Sequence, residues 1–167
     1  REARPGLGRP AVSAPASTVL VERHGAIALV TLSRPERRNG VTLGMCIDLH
    51  AAVREVAESD ARVLVLRGAG NDFCVGADIG GAGEGNAVPE GADLRAIYHA
   101  STLLHTMPQV TIAAIDGGCA GAGMGWALAC DLRVATARAR FSTAFLNVCV
   151  SGDMGLVWGL NRIVGGA

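Results

Sequence analysis

The segment that most constrains the fold runs from residue 110 to residue 131. Val110 to Ile115 is an apolar, β-branched run with the length of a buried strand. Five glycines follow within the nine residues 117–125, and the chain then continues into an apolar stretch that predicts a short buried helix. A strand, a glycine-rich turn and a helix in this order direct unpaired backbone N–H groups at a ligand above the helix N-terminus. An oxygen atom with partial negative charge is the ligand that such a site favours.

The composition is that of a folded domain without excess charge. Half of the 167 residues are hydrophobic, and the mean hydropathy is +0.33, which excludes a disordered chain. The 15 Lys and Arg residues balance the 15 Asp and Glu residues, so bulk charge argues against a nucleic-acid or membrane partner. No apolar run approaches the roughly 18 residues that a membrane span needs. We therefore expect one domain and no membrane span.

The five cysteines are spread along the chain and include no C-x-x-C pair. Four of them have apolar neighbours, so they are interpreted as small core residues in a reducing compartment, and we expect a cytoplasmic location. The four histidines also lack the spacing of metal ligands. No metal site is expected.

Local patterns predict an α/β fold. Residues 1–17, with three prolines among small residues, are expected to form a flexible tail and not a secretory signal. The domain is then residues 18–167, in the order ββα, βα, βα, β with mostly right-handed crossovers. The predicted elements are a hairpin (19–32), a helix 43–57 capped by Thr42, a strand (63–66), a long loop (68–93), a helix (92–107), the strand and buried helix described above, strands 132–136 and 141–143, and an amphipathic helix (155–164).

Four segments, in one order along the chain, resemble motifs of the enoyl-CoA hydratase/isomerase (crotonase) family. Residues 116–131 resemble its glycine turn and central helix, and residues 127–135 its exit from that helix into a strand. Residues 73–79 are similar to its loop F-x-x-G-A-D-[IL], and residues 34–39 to its turn R-P-x-x-x-N. The resemblance covers roughly residues 18 to 166 and implies a crotonase-like spiral of ββα units. It also implies no cofactor beyond the coenzyme A of the substrate, and a homotrimer or hexamer.

The resemblance implies an oxyanion hole for the thioester oxygen of an acyl-CoA. Its two donors would be the backbone N–H groups of Val75 and Ala122, and enolate charge would develop on the oxygen between them. The resemblance places further substrate or CoA contacts at Arg38, Gly40, Gly76, Ala77, Asp78, Ile79 and Gly121. Arg34 and Arg37 are additional candidates for phosphate contacts. The alternative is that both glycine-rich segments are merely tight turns. Asp78 and Asp131 are expected to be structural, with Asp78 capping the turn after the oxyanion loop and Asp131 ending the central helix.

The sequence departs from the hydratase pattern at both acid–base positions. The family's hydratases use two carboxylates, and the matching positions here hold Gly125 and Phe145. Each missing acid or base is worth about 10²–10⁴-fold in rate. Asp153 stands where some isomerases of the family place an acid, so a double-bond isomerase of fatty acyl-CoA metabolism is favoured over a hydratase. The alternative role for Asp153 is that of N-cap of the following helix.

Two other functions stay open from the sequence. The first is a catalytically dead relative that binds acyl-CoA, which the two lost carboxylates favour. The second is a dinucleotide-binding module built on Gly121-x-Gly123, although the third glycine and the later acidic residue of that motif are absent.

Members of the family are roughly half as long again as one domain of this size. We therefore expect the C-terminal helical region, which covers the acyl pocket and builds the trimer, to be missing, which puts the oligomer in doubt.

Overall fold

The computed structural model describes residues 17–80, 91 and 95–166. The predicted tail, residues 1–17, lies outside the described residues except for Ser17. In chain order the elements are β1 (Val19–His24), β2 (Ile27–Leu32), α1 (Leu43–Ala57), β3 (Val63–Gly68), α2 (Ala96–Thr106), β4 (Val110–Ile115), β5 (Gly118–Ala120), α3 (Gly121–Ala129), β6 (Leu132–Ala135), β7 (Arg140–Ser142) and α4 (Leu156–Val164). Two short 3₁₀ helices cover Pro35–Arg37 and Phe145–Val148.

A five-stranded sheet in the order β1-β2-β3-β4-β6 forms the framework. β1 and β2 are an antiparallel hairpin, and β2, β3, β4 and β6 are parallel to one another. One row of paired residues crosses the parallel strands from Val30 through Leu66 to Ala113, and all three residues are fully buried. The continuous apolar character of these strands follows from this burial.

The helix α1 covers the sheet and begins and ends where the sequence predicts. The Thr42 hydroxyl accepts a hydrogen bond from the backbone N–H of Met45 at 3.1 Å, which is the predicted N-cap. Met45, Leu49 and Val53 repeat at helical spacing and are fully buried. The amphipathic pattern therefore determines both the length of α1 and the face that it packs on the sheet.

The central helix α3 is buried on nearly every side, because only Leu128 among its nine residues is partly exposed. Trp126 is the largest fully buried side chain among the described residues. Asp131, directly after the helix, accepts hydrogen bonds from the backbone N–H and the hydroxyl of Thr111 at 2.8 and 2.9 Å. Asp131 thus joins the end of α3 to the start of β4, which confirms the structural role expected for it.

The described elements include one strand that was not predicted, while the predicted strand 141–143 and helix 155–164 complete the last unit. The structure contains ββα, βα, ββα, ββα, because Gly118–Ala120, interpreted from sequence as turn, forms the strand β5. This strand pairs with β7 in a separate parallel sheet, with Cys119 opposite Phe141. A strand of three residues carries no periodic signal, so only its tertiary partner reveals it. The predicted loop 68–93 and the start of the predicted helix 92–107 lie partly outside the described residues.

None of the described helices is both long enough and apolar enough to cross a membrane.

Candidate functional site

The two glycine-rich segments that the sequence analysis singles out lie side by side. The backbone N–H of Cys74 donates to Gly118 O at 3.0 Å, and that of Ala120 donates to Cys74 O at 2.9 Å. Gly76 has a φ of +92°, and a Cβ atom on it would lie 3.2 Å from Ala120 O. The two segments therefore meet at a point where only glycine allows the backbones this approach.

Both predicted oxyanion donors lie next to this contact. Ala122 is the second residue of α3, so its N–H group belongs to the first turn, which has no partner within the helix. Among the described hydrogen bonds, neither the Ala122 N–H nor the Val75 N–H donates to a protein acceptor. Two free donors thus flank one contact between two loops. That they converge on a single oxygen atom stays a prediction.

The Asp72 side chain links the loop before Phe73 to the second glycine-rich segment. Its Oδ1 accepts a hydrogen bond from the Gly118 N–H at 2.7 Å, and its Oδ2 accepts one from Arg38 Nε at 2.8 Å. The Arg38 guanidinium lowers the pKa of the Asp72 carboxyl, and the Gly118 N–H contributes to the same shift. Asp72 therefore remains ionised and fixes the entry of β5. No sequence pattern pointed to this role, although Asp72 directly precedes the loop motif at residues 73–79.

Asp78 anchors the other side of the loop. Its carboxylate is 5% exposed and forms ion pairs with Arg34 at 2.9 Å and with Arg37 at 2.5 Å. Hydrogen bonds from Arg37 and then Arg34 hold the pKa of this carboxyl well below its usual range. Asp78 has the structural role predicted for it, because it binds two arginines from the turn at residues 34–40. Arg34 also donates to Gly40 O.

Two neighbouring cavities surround the Ala77–Asp78 segment. The first, of about 240 Å³, is here called the basic cavity, and its lining includes Arg37, Arg38, Gly40, Val75, Ala77 and Ile79. The second, of about 210 Å³, is here called the central cavity, and its lining includes Thr42, Cys46, Ala77, Ala122, Asp153 and Met154. Asp78 lines both. Most predicted site residues therefore gather around one pair of adjoining cavities, while Gly76 and Gly121 form the contact between the loops.

Asp153 lies in the central cavity together with Ala122. Burial raises the pKa of its carboxyl above the ordinary value. The helix that follows begins at Leu156 with Gly155 as its N-cap, and no side chain caps it. The alternative role of Asp153 as an N-cap is therefore wrong.

The two positions that lack the hydratase carboxylates are filled by other groups. A Cβ atom on Gly125 would lie 2.8 Å from both the Cβ and the carbonyl oxygen of Met154, so the chain around Met154 occupies that space. Phe145 is half-buried and packs near Gly121 and Gly152. Among the described residues that line the central cavity, Asp78 and Asp153 carry the carboxylates, and two arginines neutralise Asp78. No ion pair with a described residue neutralises Asp153 in the same way.

Three further residues of the central cavity escape sequence reasoning. Cys46 is a buried thiol whose pKa burial raises to about 12, so it stays protonated. Tyr98 and Met154 line the cavity from α2 and from the segment before α4. Their types and spacing are those of ordinary packing residues, and no pattern distinguishes them. Within the described ranges, no group of three His, Cys, Asp or Glu side chains is arranged to hold a metal ion.

The chain matches a known family over most of its length. The family model described as enoyl-CoA hydratase/isomerase matches residues 22–167. A probable enoyl-CoA hydratase of Mycobacterium tuberculosis is 37% identical over 146 residues, which is 87% of this chain and 56% of that protein. A 4-chlorobenzoyl coenzyme A dehalogenase of Arthrobacter is 30% identical over 153 residues, which is 88% of this chain and 55% of that protein.

A solved structure of a similar protein has the same fold as this chain. A Thermobifida fusca protein assigned to the enoyl-CoA hydratases, in complex with CoA, superposes with a TM-score of 0.79 at 29% identity. The match covers 90% of this chain and 61% of the other, which confirms the predicted crotonase-like fold. This chain spans a little more than half the length of the curated relatives that it matches.

Proposed function

This chain belongs to the enoyl-CoA hydratase/isomerase family, and from that premise we propose that it binds an acyl-CoA thioester and moves a proton at the acyl chain. The thioester oxygen would accept hydrogen bonds from the N–H groups of Val75 and Ala122. Asp153 would be the base. Coenzyme A enters as part of the substrate, and no other cofactor is required.

The observation that carries the proposal is the shared lining of the central cavity. Ala122, with a free N–H group at the start of α3, and Asp153, with a pKa raised by burial, line the same space of about 210 Å³. An enolate needs a donor at its oxygen and a base at the neighbouring carbon. The two groups therefore supply complementary parts of one reaction.

Double-bond isomerisation fits this set of groups better than hydration. A single carboxylate can take a proton from one carbon and return it to another carbon of the same chain. Hydration needs a second group to activate water, and the positions of Gly125 and Phe145 offer none. Met154 fills the space that a side chain on Gly125 would need, so a carboxylate at that position is not accommodated either.

The CoA portion is assigned to the basic cavity. Arg37 and Arg38 line it and are 42% and 64% exposed at their side chains, so part of each guanidinium can contact a phosphate. Each also pairs with an aspartate, which fixes its position in advance. A relative solved with CoA bound supports the choice of ligand.

A second candidate is an acyl-CoA binder without turnover, and the loss of both hydratase carboxylates favours it. One experiment separates the two. Purified protein is mixed with a 3-enoyl-CoA or with a 2-enoyl-CoA, and binding is measured by calorimetry beside product formation by chromatography. We expect conversion of the 3-enoyl to the 2-enoyl thioester and negligible hydration of the 2-enoyl thioester. Binding of both without conversion would establish the binder, and no binding of either would refute both candidates.

A further inference from the structure

A third space, which the proposed reaction does not use, lies between α2, α3 and α4. It is an open-sided groove of about 320 Å³, here called the helix groove. Leu128 of α3 forms part of its floor, and His105 of α2 and Trp158 of α4 line its sides. The two rings are in contact edge to face, with centroids 5.0 Å apart. Among the described residues that line it there is no Lys, Arg, Asp or Glu.

The helix groove adjoins the central cavity. Tyr98 and Met154 belong to the lining of both spaces, so these two side chains are a shared wall. A methionine is unbranched and adapts its shape readily, so this wall can yield to a ligand more easily than one of branched residues. A group that passes the wall leaves the neighbourhood of Asp153 and enters the helix groove.

One polar group in the helix groove has no partner. Ser101 is 7% exposed, and its hydroxyl makes no hydrogen bond to any described residue. The hydroxyl of Thr106, on the same helix, instead donates to Thr102 O at 2.9 Å, which is the usual way in which a helical hydroxyl is satisfied. A buried hydroxyl without a partner favours a ligand that brings one.

We infer that the helix groove receives the distal part of the acyl group and selects a tail that carries a hydroxyl or carbonyl oxygen for Ser101. The inference rests on the proposed function, since it concerns the far end of the same acyl-CoA. Leu128 and Trp158 supply apolar surface for the hydrocarbon. The Ser101 hydroxyl oxygen is buried in this conformation, so the side chain must rotate toward the groove to reach the tail. It can then donate or accept, so it serves either oxygen group.

The test compares matched pairs of thioesters with the intact chain. Saturated acyl-CoA ligands from butanoyl to decanoyl, and their counterparts with a terminal hydroxyl, are titrated by calorimetry. We expect one range of lengths at which the hydroxylated ligand binds about three- to tenfold more tightly than its plain counterpart. Ser101→Ala should remove that preference without weakening plain ligands. Thr106→Ala, which removes a hydroxyl outside the groove on the same helix, should preserve it.

Tryptophan fluorescence reports tail entry independently of affinity. Ligands long enough to pass Met154 should change the emission, shorter ones should not, and Trp158→Phe should abolish the change. If no CoA thioester binds at all, both the proposed function and this inference are wrong. If short thioesters bind but no length shows a hydroxyl preference, or Ser101→Ala keeps it, the inference is wrong while the proposed function stands.

Discussion

The two halves of the candidate site use the same rare backbone conformation in different ways. In the half that surrounds the predicted oxyanion donors, Arg38 and Asn39 have φ values of +53° and +54°. In the segment that carries Asp153, Ala144 and Cys149 have φ values of +62° and +56°. Residues with a Cβ atom are unfavourable in this region, so each half needs interactions that hold it there.

The oxyanion half supplies those interactions from its own side chains. Asn39 Oδ1 accepts a hydrogen bond from the Arg34 N–H at 2.9 Å, and Asn39 Nδ2 donates to Ala69 O at 2.9 Å and Asp72 O at 2.8 Å. Arg38 binds Asp72 through two nitrogens. Asn is also among the residues that tolerate positive φ best. Polar side chains therefore secure this half.

The Asp153 half relies mainly on packing, although the Ser142 hydroxyl accepts a hydrogen bond from the Ala144 N–H at 3.2 Å. The side chains of Ala144 and Met154, which has a φ of +48°, cannot donate hydrogen bonds, and Met154 is held by its contact with Gly125. Leu146, nearby, is 85% exposed. Among the described residues, the oxyanion half is therefore held by several hydrogen bonds between its own side chains and backbone. The Asp153 half is held by fewer and weaker interactions.

The largest expected effect comes from a substitution in the Asp153 half. Asp153→Asn should lower the rate of proton transfer by about 10²–10⁴-fold, because it removes the base, and should change acyl-CoA affinity by less than about twofold. Because burial raises the pKa of Asp153, the wild-type rate should fall on acidification at a pH above the ordinary aspartate range. Asp60→Asn is the control, as its carboxylate is exposed and lines neither cavity. Equal rates for both variants would contradict the role of Asp153.

The next largest effect comes from a substitution that destabilises the oxyanion half. Asn39→Ala removes three hydrogen bonds and places Ala at a positive φ, so the free energy of unfolding should fall by about 2–4 kcal/mol. Urea denaturation measures it. Asn39→Gly should lose less than Asn39→Ala, because glycine accepts the backbone conformation. Asn71→Ala, at an exposed position of the loop that Asn39 binds, is the control and should change stability by less than about 0.5 kcal/mol.

A smaller effect concerns the arginine pair on Asp78. Asp78→Asn should cost about 1–2 kcal/mol at neutral pH, since it weakens hydrogen bonds to Arg34 and Arg37. The pKa of this carboxyl is lowered in the folded state, so its stabilisation is present above the unfolded value of about 3.9 and is lost as the pH falls below it. Denaturation at a series of acidic pH values should therefore show a steeper loss of stability for the wild type than for Asp78→Asn. Parallel curves would show that Asp78 is not ion-paired.

The smallest effect sharpens the comparison directly. Ala144→Gly should raise the free energy of unfolding by about 0.5 kcal/mol, because glycine relieves the unfavourable φ and keeps the backbone N–H that donates to Ser142 Oγ. Arg38→Gly relieves a similar φ but loses the bonds to Asp72, so it should destabilise. Thermal denaturation of the two variants in parallel measures both. Changes of the same sign would mean that the two halves are secured in the same way.

Much of the fold was predictable because it depends on local patterns. The helix α1 begins and ends at the predicted residues, since apolar spacing and the Thr42 cap are both local. The strand β4 and the central helix were predicted for the same reason. The strand β5 was not, because its three residues become a strand only through pairing with β7.

The candidate site was predictable where glycines and acids occur in motifs. Ala77, Asp78 and Asp153 gather around adjoining cavities, as the resemblance implied. The partners of Asp78 were not predictable, because 44 residues separate it from Arg34. The packing of Met154 against Gly125 and the unpartnered hydroxyl of Ser101 likewise depend on segments far apart in the chain.

The amino-acid sequence by itself determined which segments become helices and core strands, where the backbone can turn sharply, and that Gly125 and Phe145 stand at the two positions where hydratases of the family carry carboxylates. These properties depend on residue type and on spacings of a few positions. The tertiary structure alone decided which charges pair, which space is filled and which hydroxyl stays unpaired. Those outcomes depend on distances between atoms that are remote in sequence, and such distances exist only once the chain is packed.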